Sequence, residues 1–124
     1  MTKVGLVLVS HSEQIAQGLY QLIREVAKDV PICYAGGTED GGIGTSFDRI
    51  QTAIESNPAQ LLLTFYDLGS ARMNLEMVSD FSEKDIHILN TPLIEGAYSA
   101  AALLQAEVSL DQVLSQLDEL VITK

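Results

Sequence analysis

The sequence predicts a three-layer α/β domain, with a mostly parallel central sheet and helices on both of its faces. Three observations carry this. Short apolar runs of strand length recur along the chain, stretches with helical apolar spacing separate them, and glycine, proline, serine and aspartate punctuate the junctions. Because a strand–helix–strand connection within one sheet is almost always right-handed, few other arrangements remain.

Val4-Gly5-Leu6-Val7-Leu8-Val9 is a continuous apolar run, the pattern of a strand buried on both faces, and it reads as the first, central strand. Behind Ser12 as N-cap, Ile15, Leu19, Leu22, Ile23 and Val26 follow helical spacing and predict a helix from about Glu13 to Lys28. Pro31 to Ala35 is a short second strand, and the glycine-rich stretch from Gly36 to Gly44 is a loop. Thr45 or Ser46 caps the next helix, which carries Phe47, Ile50 and Ile54 on one face and is stopped by Asn57-Pro58. Leu61 to Tyr66 is a third buried strand. Asp67-Leu68-Gly69-Ser70 then forms a tight turn, with Ser70 as cap of a helix bearing Met73, Met77, Val78 and Phe81, the two methionines being expected in the core. Ile86 to Leu89 makes a fourth strand closed by Pro92. Leu93 to Ala106 is predicted helical, Ser109 caps a helix reaching Leu117, and Leu120 to Thr123 is a candidate final edge strand. With 124 residues, 47% of them hydrophobic, and neither repeat nor linker, residues 1–124 are expected to form one domain.

Seventeen acidic residues against seven basic ones give a formal net charge of −10, a field that repels nucleic acid and anionic membrane surfaces. A basic protein partner, or a small ligand held by backbone N–H groups, remains compatible with it. Cys33 is the single cysteine, so no internal disulfide and no cysteine-based metal cluster can form within one chain; it is expected to pack in the core. The first apolar run is too short for a membrane span and no cleavable signal precedes it, so a cytoplasmic protein is expected. His11 and His87 lie far apart without ligand spacing, and no metal is expected.

In open parallel sheets, ligands and chemistry gather beyond the carboxyl ends of the strands, which directs attention to the loops beginning at Ser10, Gly36, Asp67 and Asn90. His11 follows the first strand and precedes a helix. Imidazole is nucleophilic near neutral pH and can accept a phosphoryl group, and oriented amides at a helix start stabilise added negative charge by about 0.3–1 kcal/mol. The competing possibility, a loop or capping histidine, is the commoner fate of a single histidine; the position in the expected crevice brings the two level. Asp67 stands at the same point after the third strand, where its carboxylate can hold one ring nitrogen and leave the other as nucleophile. A turn or capping aspartate before Leu68-Gly69 carries equal weight. The glycine-rich stretch lacks the lysine and spacing of a phosphate-binding P-loop and the position of a dinucleotide fingerprint, so no nucleotide site is supported, and structural turns are the commoner use of such glycines. Arg72 is expected to be solvated, and His87 to stand without polar company.

Val9-Ser10-His11-Ser12, Ala35-Gly36-Gly37, Ile43-Gly44-Thr45-Ser46, Asp67-Leu68-Gly69-Ser70-Ala71 with Asn74 and Glu76, and Pro92-Leu93-Ile94-Glu95-Gly96-Ala97 occur in that order along nearly the whole chain. Together they resemble the DhaM family, the phosphotransferase-system subunits of bacterial dihydroxyacetone kinases, whose amino-terminal domain is similar to the mannose-type enzyme IIA fold. The resemblance implies that His11 receives a phosphoryl group from the carrier protein HPr and passes it to ADP held by the DhaL subunit, which then phosphorylates dihydroxyacetone on DhaK. It implies Asp67 as the partner of His11, and phosphoryl-site loops containing Ser10, Ser12, Gly37, Gly44, Thr45, Gly69 and Ser70. It implies no cofactor on this chain, ADP or ATP residing on DhaL. Mannose-type relatives are dimers, so a homodimer is expected, with Leu120 to Thr123 as a candidate contact. Some relatives are fused to further carrier domains; with only the first domain present, dependence on free HPr is expected. Mannose-type sugar-transporter IIA proteins, which pass phosphate to a IIB domain, are the nearest alternative. They carry a Gly-Gly-Ser-Pro type turn after the aspartate, where this chain has Leu68-Gly69-Ser70-Ala71. A non-catalytic small-ligand sensor on the same fold is a third possibility.

Overall fold

A computed structural model describes residues 3–124. Four strands, β1 (Val4–Ser10), β2 (Ile32–Gly36), β3 (Leu61–Tyr66) and β4 (Asp85–Leu89), form one sheet in the order β2-β1-β3-β4. Every pairing is parallel, so the sheet is wholly rather than mostly parallel. Helices α1 (Glu13–Arg24), α2 (Phe47–Ser56), α3 (Gly69–Phe81) and α4 (Leu93–Gln105) follow the strands in turn, and α5 (Leu110–Asp118) closes the described elements.

Because strand side chains alternate between faces, the central strands β1 and β3 build two cores at once. Leu6, Leu8, Leu63 and Phe65 face Leu19 and Ile23 of α1, Ala97, Ala100 and Ala101 of α4, and Val113 and Leu117 of α5. Val7, Val9, Leu62 and Tyr66 face Ile50, Ala53 and Ile54 of α2 and Ala71, Leu75 and Val78 of α3. The register sets Val9 opposite Tyr66 and Ser10 opposite Gly36, so the carboxyl ends of three strands finish level. His11 and Asp67 therefore leave adjacent strands side by side.

Two glycines permit close approaches that any side chain would block. A Cβ on Gly36 would lie 2.6 Å from the Ser12 carbonyl oxygen, so β2 can reach the start of α1. A Cβ on Gly96 would lie 1.8 Å from Thr91 Oγ1 and 3.4 Å from a Phe65 ring carbon, so α4 can press onto the sheet. Among the described residues the buried Thr91 hydroxyl has no hydrogen-bond partner.

Ser12, Ser46 and Ser109 cap their helices as expected, accepting from the N–H groups of Ile15, Arg49 and Gln112. Other expectations need correction. Helix α1 ends at Arg24 rather than near Lys28, and its buried residues are Ala16, Leu19 and Ile23, leaving Ile15 and Leu22 half exposed. In α3 the cap position is Leu68, which makes no side-chain cap bond, and Ser70 lies inside the first turn. Met73 and Met77 are not core: with Phe81 they face solvent, while Ala71, Leu75 and Val78 are buried. That helix carries apolar residues around most of its circumference, so spacing alone does not choose the inward face. Cys33 is half-buried on the edge strand β2, packed against the second core, its Sγ 3.8 Å from Ser56 Oγ. Residues 120–123 form no strand; Ile122 N–H donates to the Asn90 carbonyl at 2.9 Å, one bond rather than a ladder. Among the described residues no helix is long and apolar enough to cross a membrane.

Candidate functional site

The level strand ends produce a closed hydrogen-bonded cluster. His11 Nδ1 lies 2.8 Å from Asp67 Oδ1, and the Leu68 N–H donates to that same oxygen at 2.7 Å. The other carboxylate oxygen, Oδ2, accepts from the His11 main-chain N–H at 3.0 Å and from Ser10 Oγ at 2.7 Å. Ser10 is buried, and its Oγ accepts from the Ser12 N–H at 3.0 Å. The side chains of His11 and Asp67 are 16% and 18% exposed, so both are largely but not wholly shielded from solvent.

Burial pushes the Asp67 carboxyl upward, but the bonds from the His11 ring, the His11 N–H, Ser10 and the Leu68 N–H outweigh it and hold the group below its ordinary value. Asp67 is thus a carboxylate and accepts only, which makes Nδ1 the protonated nitrogen of a neutral His11 ring. Nε2 then carries the lone pair. It lies 2.6 Å from Ser70 Oγ, whose hydroxyl donates to it. Ser70 stands in the first turn of α3, where the helix end favours negative charge.

The remaining loop residues hold the cluster rather than face it. The Gly37 N–H donates to the Ser10 carbonyl at 3.2 Å, and the Gly44 N–H to the His11 carbonyl at 2.8 Å. Gly37 and Gly44 have φ of 74° and 143°, conformations that favour glycine. Thr45 Oγ1 accepts from Asn74 Nδ2 at 2.7 Å, so its hydroxyl joins the loop to α3. Ser12 Oγ is used by its own helix at 3.3 Å from Ile15 N, and Gly69 opens α3 beside Ser70. Arg49 ties the crevice wall, with Nη1 donating to the Gly36 carbonyl at 3.0 Å and pairing with Glu13 at 3.2 Å. Arg72 pairs with Glu76 at 3.5 Å on an exposed helix face, as a solvated arginine does. His87 is less isolated than expected, since its Nε2 lies 3.5 Å from Asp85 Oδ1. Among the described residues no three His, Cys, Asp or Glu side chains gather in a way that could hold a metal ion.

One residue at the site carries no signal in the sequence. Lys124 Nζ donates to the Tyr66 carbonyl at 2.6 Å and sits 3.8 Å from the centre of the Tyr66 ring, next to Asp67. Burial lowers its pKa and the Asp67 charge raises it, the first effect being the larger. A terminal lysine has no spacing relation to His11 that pattern could reveal.

The family model described as "PTS system fructose IIA component", EIIA-man, matches residues 5–114. The phosphotransferase subunit DhaM of a PTS-dependent dihydroxyacetone kinase from Lactococcus lactis is 56% identical over 97% of this chain and 98% of its own length. The phosphoryl donor subunit DhaM of a PEP-dependent dihydroxyacetone kinase from Listeria innocua is 51% identical over 91% of each chain. Among solved structures, the unknown function protein EF1359 superposes with a TM-score of 0.85 at 30% identity over 98% of both chains. Sequence matches of this length, on a parallel sheet that ends in a paired histidine and aspartate, place the chain in the DhaM family of EIIA-man domains.

Proposed function

We propose that this chain is the phosphoryl-donor subunit of a phosphoenolpyruvate-dependent dihydroxyacetone kinase, acting as a phosphohistidine carrier through His11 Nε2. The observation that carries it is the division of labour on one ring: Nδ1 is held by the Asp67 carboxylate at 2.8 Å, while Nε2 lies 2.6 Å from the Ser70 hydroxyl. In the proposed step the Nε2 lone pair attacks the phosphorus of a donor phosphohistidine on HPr. The new N–P bond forms as the donor's N–P bond breaks, and the donor ring keeps the bonding pair. Nδ1 retains its proton, so the phosphorylated ring gains positive character, which Asp67 offsets at close range. The Ser70 hydroxyl leaves the lone pair and becomes a donor to the incoming phosphoryl oxygens. Transfer onward to ADP held by DhaL reverses these events.

The relatives' names support the kinase partner over a sugar transporter's IIB domain, since both are called subunits of dihydroxyacetone kinases. On this proposal the nucleotide resides on DhaL, the chain works in the cytoplasm, and it acts as a homodimer. The open edge of β4 and the apolar residues Val121 and Ile122, both about half exposed, support the last point.

The test is reconstitution from phosphoenolpyruvate, with the general phosphotransferase proteins, this chain, ADP-loaded DhaL, DhaK and dihydroxyacetone. Dihydroxyacetone phosphate should form only when this chain is present, and acid-labile phosphate should appear on His11. Absence of label on His11 would overturn the carrier reading. Label that passes to a IIB domain but not to DhaL would assign the chain to sugar transport instead.

A further inference from the structure

Seven basic residues stand against seventeen acidic ones, and the structure occupies most of the seven elsewhere. Lys3 precedes β1, at the end of the sheet away from His11. Arg24 lies over the Tyr20 ring at 5.7 Å, and Lys28 follows the same helix. Lys84 donates to the carbonyls of Ile54 and Asn57 at the end of α2. Arg49 is committed to Glu13 and the Gly36 carbonyl, and Arg72 to Glu76. Lys124 alone places its ammonium on the strand that delivers Asp67, on the carbonyl of the residue immediately before it.

That placement is built rather than incidental. The Ile122 N–H is bonded to the Asn90 carbonyl at 2.9 Å, and Asn90 Oδ1 accepts from the Tyr66 hydroxyl, so the last residues are tied to the same strand end. The Lys124 main chain lies over Gly69, where a Cβ would stand 3.5 Å from the Lys124 carbonyl carbon and oxygen. Gly69 adjoins Ser70, whose Oγ touches His11 Nε2. The ammonium packs 3.8 Å from the Tyr66 ring centre, a cation–π contact that holds the charge in place without consuming it.

We propose that Lys124 is a positioning residue of the His11 site, whose ammonium, fixed on the Tyr66 carbonyl and ring, balances the Asp67 carboxylate and the negative charge that arrives with a phosphoryl group. The inference rests on the carrier reading for its second half. Before transfer Ser10, His11, Asp67 and Ser70 hold one carboxylate and, with a neutral ring, no cation of their own; after it, the phosphoryl oxygens add further negative charge within the same few residues. In a chain of net charge −10 the surrounding field opposes that addition, and one nearby cation reduces the opposition. Lys124 touches neither Nε2 nor Asp67 in a hydrogen bond, so it acts through their charge.

Three variants separate charge from anchoring. Lys124→Met keeps the apolar stem, Lys124→Gln keeps a donor for the Tyr66 carbonyl, and Lys124→Arg keeps both donor and charge. Single-turnover phosphoryl uptake from the phosphorylated donor should fall by about threefold to tenfold at saturating donor in the Met and Gln variants, with the half-saturating concentration changed by less than about twofold. Lys124→Arg should restore uptake. Independently of any phosphoryl transfer, carbon-13 NMR titration of the Asp67 carboxyl should show its pKa rising in the Met and Gln variants and returning with Arg. Full uptake and an unchanged Asp67 titration in Lys124→Gln would overturn the proposal and leave Lys124 as an anchor only. If the wild-type chain takes up no phosphoryl group, the carrier reading fails by itself, and the Asp67 titration still decides whether Lys124 balances the site.

Discussion

Replacing Asp67 by asparagine perturbs the site with almost no change of volume. The carboxylate accepts four hydrogen bonds in two pairs: Oδ2 from Ser10 Oγ and the His11 N–H at 2.7 and 3.0 Å, Oδ1 from His11 Nδ1 and the Leu68 N–H at 2.8 and 2.7 Å. An amide presents one oxygen and one NH2, so in either orientation one pair of donors meets a donor. With the NH2 toward the ring, Nδ1 must accept, the proton moves to Nε2 and the nucleophilic lone pair disappears. With the NH2 toward Ser10, the His11 N–H loses its acceptor, and a buried donor left unpaired costs about 1–3 kcal/mol. The expected outcome is a folded protein whose phosphoryl uptake is slower by about 10²–10⁴-fold, the scale on which a wrong histidine tautomer acts in other enzymes. Rapid-quench transfer of labelled phosphoryl, with thermal unfolding alongside, is the measurement. A folded Asp67→Asn protein within about threefold of wild type would refute the tautomer argument and return Asp67 to the role of a turn residue. Acid unfolding supplies an independent check with a definite sign. The folded-state pKa of Asp67 lies below its ordinary 3.8, so its contribution to stability is present above 3.8 and lost as pH falls through the folded value. The stability gap between wild type and Asp67→Asn should shrink on acidification below 3.8.

His11→Ala should abolish acid-labile labelling while shifting Tm by only a few degrees, because the ring is part of the site and not of either core; labelling of His87→Ala should match wild type, and equal loss at both positions would show the site to be misassigned. Gly96→Ala should lower stability by about 1–3 kcal/mol despite alanine's better helix propensity, since the new methyl group meets the Thr91 side chain; chemical denaturation measures it, and a neutral result would mean that α4 shifts freely. Raising salt from about 50 mM to about 500 mM should slow transfer at subsaturating partner, where the acidic surface speeds association, and leave saturated transfer nearly unchanged, because screening contracts from about 10 Å at 0.1 M to about 3 Å at 1 M. A salt-independent association rate would confine the acidic surface to solubility.

The features legible in the sequence are those where a local pattern and the global fold make the same demand. Leu6, Val7, Leu8 and Val9 are buried on both faces of a central strand, the placement that a continuous apolar run of this length suits. His11 and Asp67 were readable because each is the first polar side chain after a buried strand, or nearly so, and the parallel register brings such positions together. Ser70 was legible as a residue but not in its role: a serine beside a glycine at a helix start looks like a cap, and only the neighbouring strand's histidine claims its hydroxyl. The inward face of α3 was hidden because Met73, Met77 and Phe81 are as apolar as the residues that replace them in the core. The end of the chain was illegible for a different reason. Val121 and Ile122 have strand-like composition, but composition does not reveal whether an edge offers them a ladder, and here they find one carbonyl, that of Asn90.

The ring of His11 has one nitrogen sealed against Asp67 and one opening, at Ser70. On the carrier role proposed for His11, this arrangement is a single door for arrivals and departures. Under that proposal donor and acceptor would dock over the same few residues and not together, and turnover is expected to follow a ping-pong order with no ternary complex. An excess of either partner would then slow the flow by occupying the door in the wrong state. Such a site would impose no direction on the traffic: the same geometry would serve loading and unloading, and the net movement of phosphate would follow the relative phosphorylation of the proposed donor and acceptor.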